Sequence, residues 1–170
     1  MRRPWSCWTK ATSSSTRPEA RAVAALALAA LALAACAPGA PKGVDKDKLD
    51  AAVSDAIGDP ATCLLIAEKA GGKVVYRYNT ATVCARQLPS CQGAIAWQVK
   101  DLLAATVKDG QARTLSCSTT ADASRGVSWV SGVLPQKGLV YAAVMEGTRT
   151  FPGRMMADRL EPRLKDLGLQ

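Results

Sequence analysis

The chain has 170 residues, of which 48% are apolar, so it can bury one modest core but hardly two. Its 22 basic and 14 acidic residues give a net charge of +8, which falls to +4 when the five basic residues and one acidic residue of the first 35 positions are left out. The remaining basic residues form no run and are not interleaved with aromatic residues, which argues against nucleic acid as a partner. The chain contains no histidine, which excludes Ser-His-Asp and Cys-His catalytic arrangements.

Residues 1–35 have the pattern of a signal peptide. Arg17 and Arg21 precede the uninterrupted apolar run AVAALALAALALAAC, which has the length of a signal-peptide core and is shorter than the roughly 20 residues of a membrane-spanning helix. The run ends in LAAC, which resembles the lipobox of bacterial lipoproteins, so we expect Cys36 to be lipidated and to become the mature N-terminus. The alternative is an ordinary cleavage site with an incidental cysteine. Residues 36–44 then form the lipidated cysteine and a linker, and residues 45–170 form a single domain.

Four cysteines lie in the predicted domain: Cys63, Cys84, Cys91 and Cys117. In an exported protein this number predicts two disulfides, with three possible pairings. A metal site with four thiolates is the rival interpretation, but the spacing of the cysteines contains no C-x-x-C pair. We therefore expect no metal and no cofactor.

In chain order, the domain begins with an amphipathic helix that Asp45 opens and Gly58 ends. Two apolar runs around Gly71 and Gly72 follow, and they predict a β-hairpin. The next predicted helix covers residues 93–108 and ends at an Asp-Gly pair. Its expected buried stripe consists of Ile95, Val99, Leu102, Leu103 and Val107.

Three strands are predicted after this helix, from the segments ARTLSCSTT, GVSWVSGVLP and GLVYAAVME, with a turn at residues 135–138 between the last two. A final helix starts near Pro152, and Pro162 is expected to kink or interrupt it. Because hairpins dominate, we expect an α/β fold of the α+β type. Its antiparallel five-stranded sheet would carry the N- and C-terminal helices and one central helix.

Two blocks of the sequence carry a family resemblance. The hairpin LLIAEKAGGKVVYRYN and the segment VCARQLPSC resemble the elements that lead to the nucleophile in class D β-lactamases. The segments GVSWVSGVLPQKGLVYAAVMEG and RMMADRLEPRLKDLGL resemble the last strands and the final helix of those enzymes. This resemblance to the serine β-lactamase and penicillin-binding protein superfamily covers residues 45–170. It implies a β-lactamase-like core without the helical domain, because only about 20 residues separate Gly93 from the next strand.

The resemblance also implies where catalytic residues would lie. The family uses a serine nucleophile and a lysine three residues later, one helical turn away. Matching LPSC to the family's approach places Gln92 at the serine position and Ile95 at the lysine position, and neither side chain can perform that chemistry. In TLSCSTT, Ser118 falls where a K-T-G strand supplies a lysine, and a serine offers no charge.

The expected disulfides are Cys63–Cys84 and Cys91–Cys117. Reflection through the hairpin turn places residue 63 opposite about residue 80, just short of Cys84. The second pair follows from the resemblance, in which the start of the nucleophile-bearing helix lies beside the strand that here carries Cys117. The competing pattern joins Cys84 to Cys91 and leaves Cys63 to pair with Cys117.

These observations predict a non-catalytic lipoprotein of the bacterial cell envelope that acts as a binding or structural module. A lipid anchor would hold it at a membrane, facing the periplasm or the outer surface, with peptidoglycan or another envelope protein as its partner. One alternative is an active serine hydrolase of the β-lactamase or transpeptidase type that uses another nucleophile, such as Ser90 or Ser118. The other is a profilin-like or sensor-like α/β binding domain with the same order of elements.

Overall fold

A computed structural model describes residues 38–170 of the chain, so the predicted signal peptide and Cys36 lie outside the described residues. The elements follow the predicted order, with one short helix and two short strands in addition. They are α1 (Lys46–Ile57), β1 (Cys63–Glu68), β2 (Val74–Tyr78), α2 (Ala81–Cys84), β3 (Leu88–Pro89), β4 (Ala96–Trp97), α3 (Val99–Asp109), β5 (Arg113–Ser118), β6 (Gly126–Leu134), a 3-10 turn (Pro135–Lys137), β7 (Leu139–Gly147) and α4 (Gly153–Asp166). The fold class is mixed α+β, as the sequence predicts.

The main sheet has five antiparallel strands in the order β2-β1-β7-β6-β5, and β3 and β4 form a separate two-stranded sheet. In the main sheet, Cys63 on β1 lies opposite Val144 on β7, and Cys117 on β5 lies opposite Val127 on β6. Two strands therefore separate the two cysteines. This separation removes the competing Cys63–Cys117 pairing, because a disulfide requires Cα atoms within about 7 Å.

Helices cover both faces of the main sheet. Residues such as Leu64, Ile66 and Tyr141 pack against α1 and α4 on one face. Their neighbours Leu65, Ala142 and other residues of β1 and β7 pack against α3 on the opposite face. A strand buried on both faces is apolar at nearly every position, which explains the continuous apolar run that β7 shows in the sequence.

The first and last helices have the boundaries that their sequence signals indicate. The Asp45 carboxylate accepts a hydrogen bond from the Lys48 N–H at 2.9 Å and so caps α1, which ends before Gly58. Helix α4 continues through Pro162 to Asp166, so the proline does not interrupt it. Pro162 is exposed, and the buried residues Leu160 and Leu164 hold the helix against the sheet on either side of it.

The predicted start of the central helix at residue 93 is wrong. Helix α3 begins at Val99, and residues 88–97 form the β3–β4 hairpin, in which Leu88 lies opposite Trp97. Gly93 has a φ of +84° and Cys91 a φ of +60°, which a right-handed helix does not allow. The true start is marked by Asp101, whose carboxylate accepts a hydrogen bond from the Gln98 N–H at 2.8 Å.

Within residues 38–170, no helix combines the length and the apolar character needed to cross a membrane.

Candidate functional site

Both predicted disulfides are present in the structure. Cys63 on β1 bonds to Cys84 on α2 with a Cα–Cα distance of 5.2 Å. Cys91, in the turn between β3 and β4, bonds to Cys117 on β5 with a Cα–Cα distance of 5.4 Å. The second disulfide therefore ties the β3–β4 turn, which follows the segment VCARQLPS, directly to β5, which lies within ARTLSCSTT.

Two tryptophans hold the β3–β4 hairpin at the same place. The indole N–H of Trp129, a fully buried residue of β6, donates a hydrogen bond of 2.8 Å to the Pro89 carbonyl oxygen. Trp97 of β4 packs edge-to-face on Trp129 with 6.2 Å between ring centroids. Both tryptophans thus serve packing, and together with the disulfide they fix the hairpin against the sheet.

The structure does not place Gln92 and Ile95 one helical turn apart. Both lie in the β3–β4 turn, where the Gln92 N–H donates a hydrogen bond of 3.2 Å to the Ser90 hydroxyl oxygen. The Ile95 side chain is 61% exposed instead of lying in the buried stripe of the central helix. Without a helix, these two positions cannot present side chains to one substrate from one helical face.

Ser118 is the last residue of β5, is exposed, and lines a cleft of about 280 Å³ at this end of the sheet. Two loops, at residues 119–125 and 147–152, form the walls of this cleft. We call it the hydroxyl cleft because most of its lining side chains are Ser or Thr. The lining Ser, Thr and Arg residues are Ser116, Ser118, Ser124, Arg125, Ser128, Thr148 and Thr150.

Several of these hydroxyls already have partners inside the protein. The Ser116 hydroxyl oxygen accepts a hydrogen bond of 2.7 Å from the Gly153 N–H at the start of α4. The Ser128 hydroxyl donates a second hydrogen bond, of 3.2 Å, to the same Ser116 oxygen. The Thr150 hydroxyl lies 2.8 Å from the Gly147 carbonyl oxygen. Ser118 and Thr148 also line the cleft, and their hydroxyls have no hydrogen-bond partner within the part of the chain that the structure describes.

Arg125 at the rim of the cleft belongs to a charged cluster with Arg86 and Glu146. The Glu146 carboxylate accepts hydrogen bonds from Arg125 at 2.6 Å and from Arg86 at 2.9 Å. Burial raises the pKa of Glu146, but the hydrogen bonds from the two guanidinium groups outweigh it, so the pKa lies below its usual value. The cluster carries one net positive charge beside the cleft.

Sequence reasoning misses this cluster because its members are far apart along the chain. Arg86 is 60 residues and Arg125 is 21 residues away from Glu146. One signal for it is Glu146 itself, a carboxylate that follows seven consecutive buried residues of β7 and therefore needs a counter-charge.

The serines lack the partners that nucleophilic catalysis requires. Ser90 is fully buried, and its oxygen accepts the hydrogen bond from the Gln92 N–H. Ser118 is accessible, but within residues 38–170 no lysine or carboxylate hydrogen-bonds to it or to Ser90. Nor do the described residues contain a group of three or more Cys, Asp or Glu side chains placed to hold a metal ion.

The sequence matches no protein-family model, and the comparisons with curated proteins and with solved structures find no match.

Proposed function

We propose that the protein is a non-catalytic lipoprotein of the bacterial cell envelope that uses a reduced β-lactamase-like or penicillin-binding-protein-like fold as a binding or structural module. The observation that carries this proposal is the Cys91–Cys117 disulfide. In the resemblance described above, an acyl substrate lies between the segment that contains Cys91 and the strand that contains Cys117. Under this proposal, the disulfide fills that space.

The separation of the two bonded cysteines supports this proposal. The Cα atoms of Cys91 and Cys117 are 5.4 Å apart. Carbon atoms in contact lie about 3.5–4 Å apart, so an acyl group held between two surfaces needs at least about 7 Å between the flanking atoms. A substrate therefore does not fit between these two segments while the disulfide is intact.

The alternative, an active serine hydrolase, has two candidate nucleophiles, and each lacks a property that catalysis requires. Ser90 is inaccessible, and Ser118 is accessible but has no neighbouring base. An alkoxide needs a group that removes its proton, and the lysine of the family pattern has no replacement beside either serine among the described residues. We therefore place the function in binding rather than in acyl transfer.

The cell envelope is the proposed location for two independent reasons. The lipobox-like LAAC supports lipidation of Cys36, and the structure contains two disulfides, which persist in an oxidising compartment. Peptidoglycan or another envelope protein is the proposed partner. The hydroxyl cleft with Arg125 at its rim suits a polar or anionic group from such a partner.

One experiment tests both parts of the proposal. The full-length gene is expressed in a bacterium, the protein is extracted from membranes, incubated with a fluorescent penicillin, and its intact mass is measured. We expect the mass of a chain that begins at a lipidated Cys36, with no penicillin adduct. A penicillin-binding protein in the same membranes serves as the positive control for labelling.

The penicillin adduct and the lipid on Cys36 test the two parts of the proposal independently. A penicillin adduct that is lost on Ser90→Ala or Ser118→Ala substitution would establish the hydrolase alternative. An unlipidated chain, or one cleaved elsewhere, would remove the lipoprotein part and leave the absence of acylation standing.

A further inference from the structure

A second cavity, of about 290 Å³, lies on the α3 side of the sheet near the edge strand β2. Its lining includes Pro38, the first residue that the structure describes. We call it the Pro38 cavity. The cavity therefore adjoins the N-terminal end of the described residues.

The Pro38 cavity combines an apolar wall with two positive charges. Leu65, Val74 and Cys84 contribute apolar surface, and Arg77 and Lys100 are its charged lining residues. The Arg77 Nε–H donates a hydrogen bond of 3.3 Å to the Asn79 carbonyl oxygen, and neither Arg77 nor Lys100 has an ion-pair partner within residues 38–170. An anionic group with an adjoining apolar part complements this surface.

The lipidation site lies close to the cavity along the chain. Cys36 precedes Pro38 by two residues. Two residues of extended chain reach at most about 7 Å, which is shorter than the Debye length of about 8 Å at physiological ionic strength. A lipidated Cys36 would therefore keep Pro38, which lines the cavity, within about one Debye length of the bilayer surface, where basic residues are attracted to anionic lipids.

From these observations we propose that the Pro38 cavity is the membrane-facing surface of the mature protein. Arg77 and Lys100 bind the phosphates of anionic lipid headgroups, and the apolar wall contacts the adjoining glycerol region. This inference rests on the proposed lipidation of Cys36, and it adds that the protein sits on the bilayer in one orientation, which leaves the hydroxyl cleft for a partner in the envelope.

The test measures how fast Lys100 reacts with a membrane-impermeant amine reagent, by peptide mass spectrometry. The wild-type membrane-extracted protein is reconstituted in vesicles of phosphatidylcholine alone and in vesicles that also contain phosphatidylglycerol. A basic residue at an anionic surface gains about fivefold in binding. We therefore expect Lys100 to react about fivefold more slowly on the anionic vesicles, with the difference lost in 1 M salt.

Matched residues and variants separate this surface from general charge effects. Lys48 on α1 is exposed on the opposite face of the sheet and should react equally in both vesicles. Arg77→Gln should reduce the protection of Lys100, whereas Arg163→Gln, the same charge change on α4, should not.

Three results would overturn the proposal. They are equal reaction of Lys100 in the two vesicles, equal protection of Lys48, and protection of Lys100 by millimolar inorganic phosphate on neutral vesicles. The mass of the N-terminal peptide is measured separately and shows whether Cys36 carries lipid. An unlipidated chain would therefore count against the proposed function and not against the membrane-facing surface. In that case, the same labelling of Lys100, with vesicles added to the unlipidated protein, still tests whether the Pro38 cavity binds anionic lipids.

Discussion

Glu146 sets the charge balance beside the hydroxyl cleft. Its side chain is 9% exposed, and it is ionised between two arginines whose side chains are 41% and 47% exposed. Hydrogen bonds to a charged group contribute about 1.5–3 kcal/mol, but partial exposure of the arginines screens the interaction, which leaves about 1 kcal/mol. Because Arg86 follows α2 and Arg125 immediately precedes β6, this energy ties the α2–β3 connection to the end of the main sheet.

Glu146→Gln should lower the free energy of unfolding by about 1 kcal/mol at pH 7. The pKa of Glu146 in the folded protein lies below its unfolded value of about 4.3, so the folded state binds fewer protons there. The contribution is therefore complete above about pH 4.3 and is lost as the pH falls through the folded pKa. Urea unfolding at pH 7 and at pH 3 measures both values.

Glu68→Gln is the control, because Glu68, like Glu146, lies within the last two residues of a strand, and it has no ion pair within the described residues. It should change the unfolding free energy by less than about 0.5 kcal/mol at either pH. Equal stability of Glu146→Gln and the wild type at pH 7 would show that the cluster contributes nothing.

At the scale of elements, the sequence predicts the long helices and the strands of the main sheet but not the segment at residues 88–98. Long elements repeat their apolar pattern over several periods, as in α1 and β7, and hairpin turns such as Gly71–Gly72 mark their limits. Strands β3 and β4 have two residues each, which is too short for any periodicity. Tertiary contacts, above all the Cys91–Cys117 disulfide and the Trp129 hydrogen bond, determine this segment instead.

The same limit applies to the candidate site. The Cys91–Cys117 pair is predictable from the number of cysteines and from the resemblance, and the sequence also singles out Ser118, which lines the hydroxyl cleft. The loops that form the walls of the hydroxyl cleft, and the pairing of Glu146 with two distant arginines, depend on which strands are neighbours. Local sequence patterns do not contain that information.

Gly93→Ala distinguishes the observed hairpin turn from the predicted helix. At a φ of +84°, an alanine side chain costs about 1 kcal/mol, and no atom lies within 4 Å of the added Cβ to alter this cost. In a helix the same substitution would stabilise by about 0.5–1 kcal/mol. We therefore expect a loss of about 1 kcal/mol in the unfolding free energy, measured by urea titration.

Ala104→Gly, at an exposed position of α3, is the matched control. It should also lose about 1 kcal/mol, because glycine weakens a helix interior. A gain in stability for Gly93→Ala would contradict the turn and restore the helix that begins at residue 93.

At the scale of the whole molecule, the two disulfides attach both ends of the segment at residues 84–91 to the main sheet. Cys84 is bonded to β1 and Cys91 to β5, and β7 and β6 lie between these strands. The chain from residue 84 to 91 therefore passes along the sheet face that α3 also covers. The bonded cysteines are 21 and 26 residues apart, and closing loops of this length contributes about 3 kcal/mol per disulfide in the chain-entropy model.

The proposed function depends on the Cys91–Cys117 disulfide, which the structure forms between the β3–β4 turn and β5. Peptide mapping without reduction, on protein extracted from bacterial membranes with free thiols blocked at lysis, measures this pairing. We predict two linked peptide pairs, Cys63 with Cys84 and Cys91 with Cys117. A peptide that links Cys84 to Cys91, or four free thiols, would contradict both the observed pairing and the proposed function.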